Sequence, residues 1–156
     1  PGKIINVITK EVVGRHTGVM YYTIGQRKGL DIGGIGPFFV VGKNVEKNEL
    51  YVVDSEYQDL LYSDSCIVTG VNVLADRELP MDCTAKFRYR QADNDVHISW
   101  LDETTLKVDF PQKIRSITPG QEAVFYDGDV MIAGGKIEQI FKDGEDLMQK
   151  VNVMAG

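Results

Sequence analysis

From residue 63 onward, short β-forming runs follow one another with turn signals between them, and this spacing constrains the fold more than any other feature. The runs are 66–73, 83–90, 96–101, 105–110, 121–126, 129–133 and 136–141. Asp102-Glu103-Thr104 joins one pair as a hairpin, Pro119-Gly120 marks a turn, and Asp127-Gly128 is a strong two-residue hairpin signal. In the run 83–90, Cys83, Ala85, Phe87 and Tyr89 alternate with Thr84, Lys86, Arg88 and Arg90. A period of two sends the first set to a core and the second to the surface. Strands this short and this many predict a six- or seven-stranded antiparallel β-barrel over 63–142, because closure removes exposed sheet edges.

Residues 1–62 read as a smaller β-rich unit. Ile4-Ile5-Asn6-Val7-Ile8 and Glu11-Val12-Val13-Gly14 suggest strand, turn, strand, and the runs 38–42 and 49–54 a hairpin with a polar loop. Between them Val19, Tyr22 and Gln26, with Met20 and Ile24, fall at helical spacing. A short helix over 17–27 is expected, with Thr17 as N-cap and Gly29 as stop. Residues 143–156 have little β pattern and read as a flexible tail. The expected fold is therefore mainly β, with domains 1–62 and 63–142. Residue 1 is Pro rather than Met, as expected of a cut or processed piece of a longer polypeptide.

The chain has 156 residues, 43% hydrophobic and 26% charged, an ordinary globular composition. No apolar run approaches the ~20 residues of a membrane helix, and lipidation and secretion signals are absent. No membrane partner is expected. Cys66 and Cys83 have neither C-x-x-C spacing nor a nearby His pair, so no metal site is expected, and they suit a reducing cytoplasm. The net charge of −6 lies entirely in 63–156, and charge alone argues against a nucleic-acid partner. Against this stands one basic island. Lys86, Arg88 and Arg90 share a strand face, and Lys113 and Arg115 extend it. Guanidinium forks on a rigid strand suit phosphate, and a neighbouring aromatic suits base or ribose stacking. The alternative is a solvated face paired with surrounding carboxylates.

Other candidates carry less. The glycine-rich loop 29–36 does not fit a phosphate-binding loop, since five residues separate Gly36 from Gly42-Lys43 and Asn44 replaces Ser or Thr. His16 and His97 lack triad or metal partners, and both cysteines read as inert thiols on apolar strands. Trp100 reads as core, and Asp102-Glu103 and Asp127/Asp129 as turn residues.

Several strings resemble the tRNA-specific 2-thiouridylase family. His16-Thr17-Gly18-Val19-Met20-Tyr21-Tyr22-Thr23-Ile24-Gly25-Gln26-Arg27-Lys28-Gly29-Leu30 is similar to its G-x-H-x-G-L-M-Y-Y-T-I-G-Q-R-K-G-L signature. Pro37-Phe38-Phe39-Val40-Val41-Gly42-Lys43 resembles P-W-Y-V-V-x-K, and Arg88-Tyr89-Arg90-Gln91 resembles R-Y-R-Q. Residues 118–128 resemble T-P-G-Q-x-A-V-F-Y-x-G, and 133–137 resemble G-G-G-x-I. The matches run in family order from residue 2 to about residue 141.

The resemblance implies a parent enzyme, a tRNA-uridine 2-sulfurtransferase, that thiolates carbon 2 of the wobble uridine. It uses ATP with magnesium, a nucleophilic cysteine and a persulfide cysteine fed by a sulfur-relay donor. It further implies a small central domain and a barrel resembling a translation-factor barrel, which help hold tRNA. This chain has no S-G-G-V-D-S loop, and neither cysteine matches a catalytic one by context. The family's persulfide cysteine lies just upstream of the string with which the chain starts. The fragment is expected to hold no cofactor, to be inactive alone, and to bind tRNA but not DNA. By resemblance the tRNA contacts are Arg88, Tyr89 and Gln121, with Lys86, Arg90, Gln26, Arg27 and Lys28 as further RNA contacts. An alternative is a protein-interaction module docking a sulfur-relay donor or the catalytic domain. A third is a spacer that only orders the parent.

Overall fold

A computed structural model describes residues 1–30, 32, 36–88 and 92–156. It divides the chain into two compact units, one of residues 1–62 with 145–156 and one of residues 63–144.

The first unit is a four-stranded sheet. β1 (Gly2–Asn6), β2 (Val12–His16), β3 (Phe38–Asn44) and β4 (Glu49–Asp54) lie in the order β2-β1-β4-β3. β1–β2 and β3–β4 are antiparallel hairpins, and β1 runs parallel to β4. Ile4, Val40, Leu50, Val52 and Tyr22 form its core.

The stretch expected as a helix over 17–27 holds only a 3₁₀ turn at Val19–Tyr21. Beyond it the chain runs along β3, with Gly25 N–H donating to Val40 O (2.7 Å) and Val40 N–H to Gln26 O (3.0 Å). Gly25 and Gly29 have φ of 86° and 77°, which an α-helix does not contain. The helical spacing was therefore incidental: Val19, Tyr22 and Ile24 are buried, whereas Met20 and Tyr21 are exposed.

The short helix lies elsewhere. α1 (Leu147–Ala155) occupies the stretch read as a flexible tail. Asp146 caps it by accepting from Gln149 N–H (3.1 Å), and Leu147 and Val151 are buried. Its Val151 packs on β3 at Gly42, where a Cβ would stand 3.0 Å from Cγ1.

The second unit is a closed six-stranded antiparallel barrel. Its strands are β5 (Tyr62–Val73), β6 (Met81–Lys86), β7 (Asn94–Asp102), β8 (Thr105–Arg115), β9 (Glu122–Asp127) and β10 (Val130–Lys142). Around the ring they run β5-β8-β7-β6-β9-β10, and β10 returns to β5. The runs 129–133 and 136–141 are one strand, not two. Register shifts next to Gly134 and Gly135 let β10 bend without breaking. At Gly135 any Cβ would meet Val68 Cγ1 at 2.7 Å and Thr69 O at 2.8 Å, so only glycine passes there.

The alternation holds from Ala85 onward: Ala85 and, just past the strand, Phe87 are fully buried and Lys86 is exposed, whereas Cys83 and Thr84 are both half-buried. Phe87 meets Phe110 edge-on at 5.4 Å in the core, a contact worth about 0.5–1.5 kcal/mol beyond burial. The strand itself, expected to reach residue 90, stops at Lys86.

Because neighbours are antiparallel, β6, β8 and β10 end at one mouth of the barrel and β5, β7 and β9 at the other. Among the described residues the first mouth holds 87–88, 92–93 and 116–121, and the second holds 74–80 and the two tight hairpins. Trp100 corrects its reading as core. It shares inward parity with buried Val96 and Ile98 but sits near the end of β7, opposite Leu106, and is 40% exposed.

Candidate nucleic-acid interface

The first mouth is built around Arg88. It lies two residues past the end of β6 and, unlike a solvated strand-face cation, is half-buried. One guanidinium nitrogen donates to Ser116 O at 2.7 Å and to Thr118 Oγ1 at 3.5 Å. Burial first, and the neighbouring Arg115 second, depress its pKa. A partly desolvated cation that feels a second positive charge favours a bound anion.

The turn that Arg88 grips is itself pinned. Thr118 Oγ1 donates to Ser116 O (3.3 Å), Gly120 N–H to Ile137 O (2.7 Å) and Ile137 N–H to Gln121 O (2.9 Å). Gly120 has φ of 96°, a conformation that suits glycine. Gln121 closes the turn through its N–H to Thr118 O (3.2 Å). Its side-chain oxygen is buried, and no donor among the described residues reaches it. Arg88 and Gln121, distant in sequence, are thus held on one turn. Such a site offers fixed positive charge, as recognition of a phosphate requires.

Lys113 is exposed, and with Arg115 it lines a groove of about 470 Å3 that Asp93 and Asp95 also line. Lys86 is partly neutralised. Its Nζ lies 3.7 Å from Asp93 Oδ1 and 5.6 Å from the Tyr126 ring centroid. Tyr89, Arg90 and Gln91 lie outside the described residues.

Gln26 belongs to the other unit and is engaged locally. Its Oε1 accepts from Thr23 N–H (3.1 Å) and its Nε2 donates to Lys28 O (3.0 Å), so its side chain braces the loop. Arg27 and Lys28 are exposed beside it. Sequence reasoning missed Lys43, whose half-buried ammonium donates to Val19 O (3.2 Å) and Tyr22 O (3.4 Å); burial lowers its pKa. It anchors the 3₁₀ turn, and no local pattern signals a lysine reaching back 21–24 residues.

The remaining candidates are structural. His16 is buried with Nε2 donating to Asn48 O (2.9 Å), and its ring lies edge-on to Tyr22. His97 faces its cross-strand partner Asp82 at 2.8 Å. Burial pushes the Cys66 thiol up to about 12 and the half-buried Cys83 thiol up to about 11, so neither is a ready nucleophile at neutral pH. Among the described residues no cluster of three or more His, Cys, Asp or Glu is placed to hold a metal. No described helix is long and apolar enough to cross a membrane.

Residues 1–54 match the family described as tRNA methyl transferase PRC-barrel domain, and residues 63–137 that described as aminomethyltransferase beta-barrel domain. The chain is 51% identical over 150 residues to the tRNA-specific 2-thiouridylase MnmA of Bacillus cytotoxicus, covering 94% of this chain and 40% of that protein. It is 51% identical over 138 residues to the protein of that name from Staphylococcus carnosus, covering 86% of this chain and 37% of the relative. For the one from Listeria monocytogenes the identity is 48% over 150 residues, covering 94% and 40%. The chain thus spans about 40% of the length of the relatives it matches. With both barrel-type domains matched in order and the T-P-G-Q turn placed against Arg88, the chain belongs to the tRNA-specific 2-thiouridylase family, as a fragment of such a protein.

Proposed function

We propose that this chain is the tRNA-holding, non-catalytic part of a 2-thiouridylase whose whole form carries out ATP-dependent 2-thiolation of the wobble uridine. The observation that carries the reading is the convergence of Arg88 and Gln121 on the turn 116–121, with Arg115 against Arg88. Phosphate contacts from Arg88, Arg115 and Lys113 supply affinity, and Gln121, on the same turn, adds a contact to ribose or base. Base readout, ATP with magnesium, and sulfur delivery by a relay donor fall to the parts of the parent outside this chain. The parent works in the cytoplasm, where both thiols stay reduced.

Fluorescence anisotropy of a labelled tRNA at two salt concentrations tests the reading. Binding should weaken as salt rises, with a log–log slope of roughly −0.7 to −0.9 per phosphate neutralised. Lys113→Glu with Arg115→Glu should abolish it, and Gln121→Ala should weaken it with little change in slope. Absence of binding even at low salt would overturn the proposal, as would thiolation of tRNA by the fragment alone.

A further inference from the structure

The opposite mouth of the barrel has a different surface chemistry. Among the described residues of the barrel, every large apolar side chain that is exposed lies there: Val73, Leu74, Trp100, Leu101, Val130 and Met131. They belong to three separate segments that the ring brings together. Leu74 N–H donates to Ile132 O (2.8 Å), which ties the end of β5 to the start of β10. Val73, Trp100 and Ile132 line one shallow apolar depression. Trp100 and Leu101 are 40% and 55% exposed, and Val73 and Leu74 are 51% and 57% exposed. A soluble surface seldom gathers its apolar side chains in this way unless something covers them.

The rim of this patch is acidic. The three connections at this mouth carry Asp76, Glu78, Asp102, Glu103, Asp127 and Asp129 against a single cation, Arg77, which Asp127 holds at 2.7 Å. Hydrogen bonds from the Thr104 backbone hold the Asp102 carboxyl below its usual range, so it stays charged. This charge disfavours RNA, which would meet carboxylates at every edge. It also disfavours a second copy, whose own acidic rim would face this one.

We propose that this mouth is a docking surface for a second protein whose contact face carries apolar side chains inside a rim of lysines and arginines. The partner's apolar groups cover Trp100, Leu74 and Met131, and its cations meet the three acidic connections. Such a surface has an apolar centre, a charged rim and an aromatic anchor, as specific interfaces do. The inference does not depend on the RNA reading, since it concerns the other end of the barrel.

Trp100 is the one tryptophan in the chain, so its emission reports directly on this mouth. The probe is a short amphipathic helical peptide of leucine and arginine, compared with the same peptide carrying glutamate for arginine. The arginine peptide should shift Trp100 emission to the blue, saturably and more weakly at high salt. Leu74→Ser with Met131→Ser should weaken this at least about tenfold, the loss expected when anchoring contacts at an interface centre go. Both positions are exposed, so the double variant keeps its fold, which circular dichroism checks. Asp102→Lys with Glu103→Lys should weaken it as well, and the glutamate peptide should give no shift. No shift with either peptide, an equal shift with both, or a shift untouched by the double variant would overturn the proposal. So would dimerisation in sedimentation that Trp100→Ser abolishes, which would make a second copy the occupant.

Discussion

The two mouths of the barrel are made from the same strands and have opposite chemistry. Around Arg88 the polar groups are interlocked: a half-buried guanidinium, two pinned carbonyls and a turn stitched to β10. Around Trp100 apolar side chains stand uncovered within a ring of carboxylates. The difference teaches that the net charge of −6 says little about partners. A ring of antiparallel strands sorts its connections to two ends, and each end acquires its own charge and polarity.

The largest effect is expected where the core meets the polar mouth. Phe87 is fully buried and directly precedes Arg88. Phe87→Ala should lower stability by about 3–5 kcal/mol in denaturant unfolding and loosen the Arg88 mouth along with it. An unchanged midpoint would break the idea that the core holds that mouth.

The interior between the mouths gives the next effect, through Cys66. Its folded value of about 12 stands above the ordinary 9.0. Below pH 9 the thiol is protonated in both states and costs nothing. Above it the unfolded chain ionises first, so stability should fall by up to about 1.4 kcal/mol per pH unit until the folded value is reached. Unfolding of the wild type and Cys66→Ala at about pH 8 and about pH 11 checks this, with the smaller loss expected in the variant.

Arg88→Met comes third. It removes the charged donor to Ser116 O and should cost about 1–2 kcal/mol, less than a fully buried pair would. Arg88→Lys should not restore the loss, since an ammonium cannot reproduce the fork. Full rescue by lysine would show that charge alone matters there. Arg77→Ala at the apolar mouth is smallest. Its pair with Asp127 is 32% and 45% exposed, so about 0.2–1 kcal/mol is expected, vanishing in salt. A larger loss would mean that this end is as interlocked as the other.

Much of the barrel was legible beforehand, because period-two alternation and the Asp127-Gly128 hairpin are local signals. The helix expected over 17–27 is absent for a related reason. Val19, Tyr22 and Ile24 do face a core, but their burial comes from a loop laid on β3 rather than from one helical face. α1 escaped notice because its burial rests on contact with Gly42, more than a hundred positions earlier. The site was half legible. Its residue types stand out, but period-two alternation alone puts Arg88 on a solvent-facing strand, and its partners Ser116 and Thr118 lie 28 and 30 positions away.

By itself the sequence determined which residues alternate inward, where the hairpins turn and which family's strings the chain carries. Each of these is a property of neighbouring residues. Only the tertiary structure decided that β10 is one bent strand, that Trp100 is partly exposed, and that Arg88 and Gln121 share a turn. Those outcomes depend on ring closure and on strand length relative to the core, and they are settled by contacts between residues far apart in the chain.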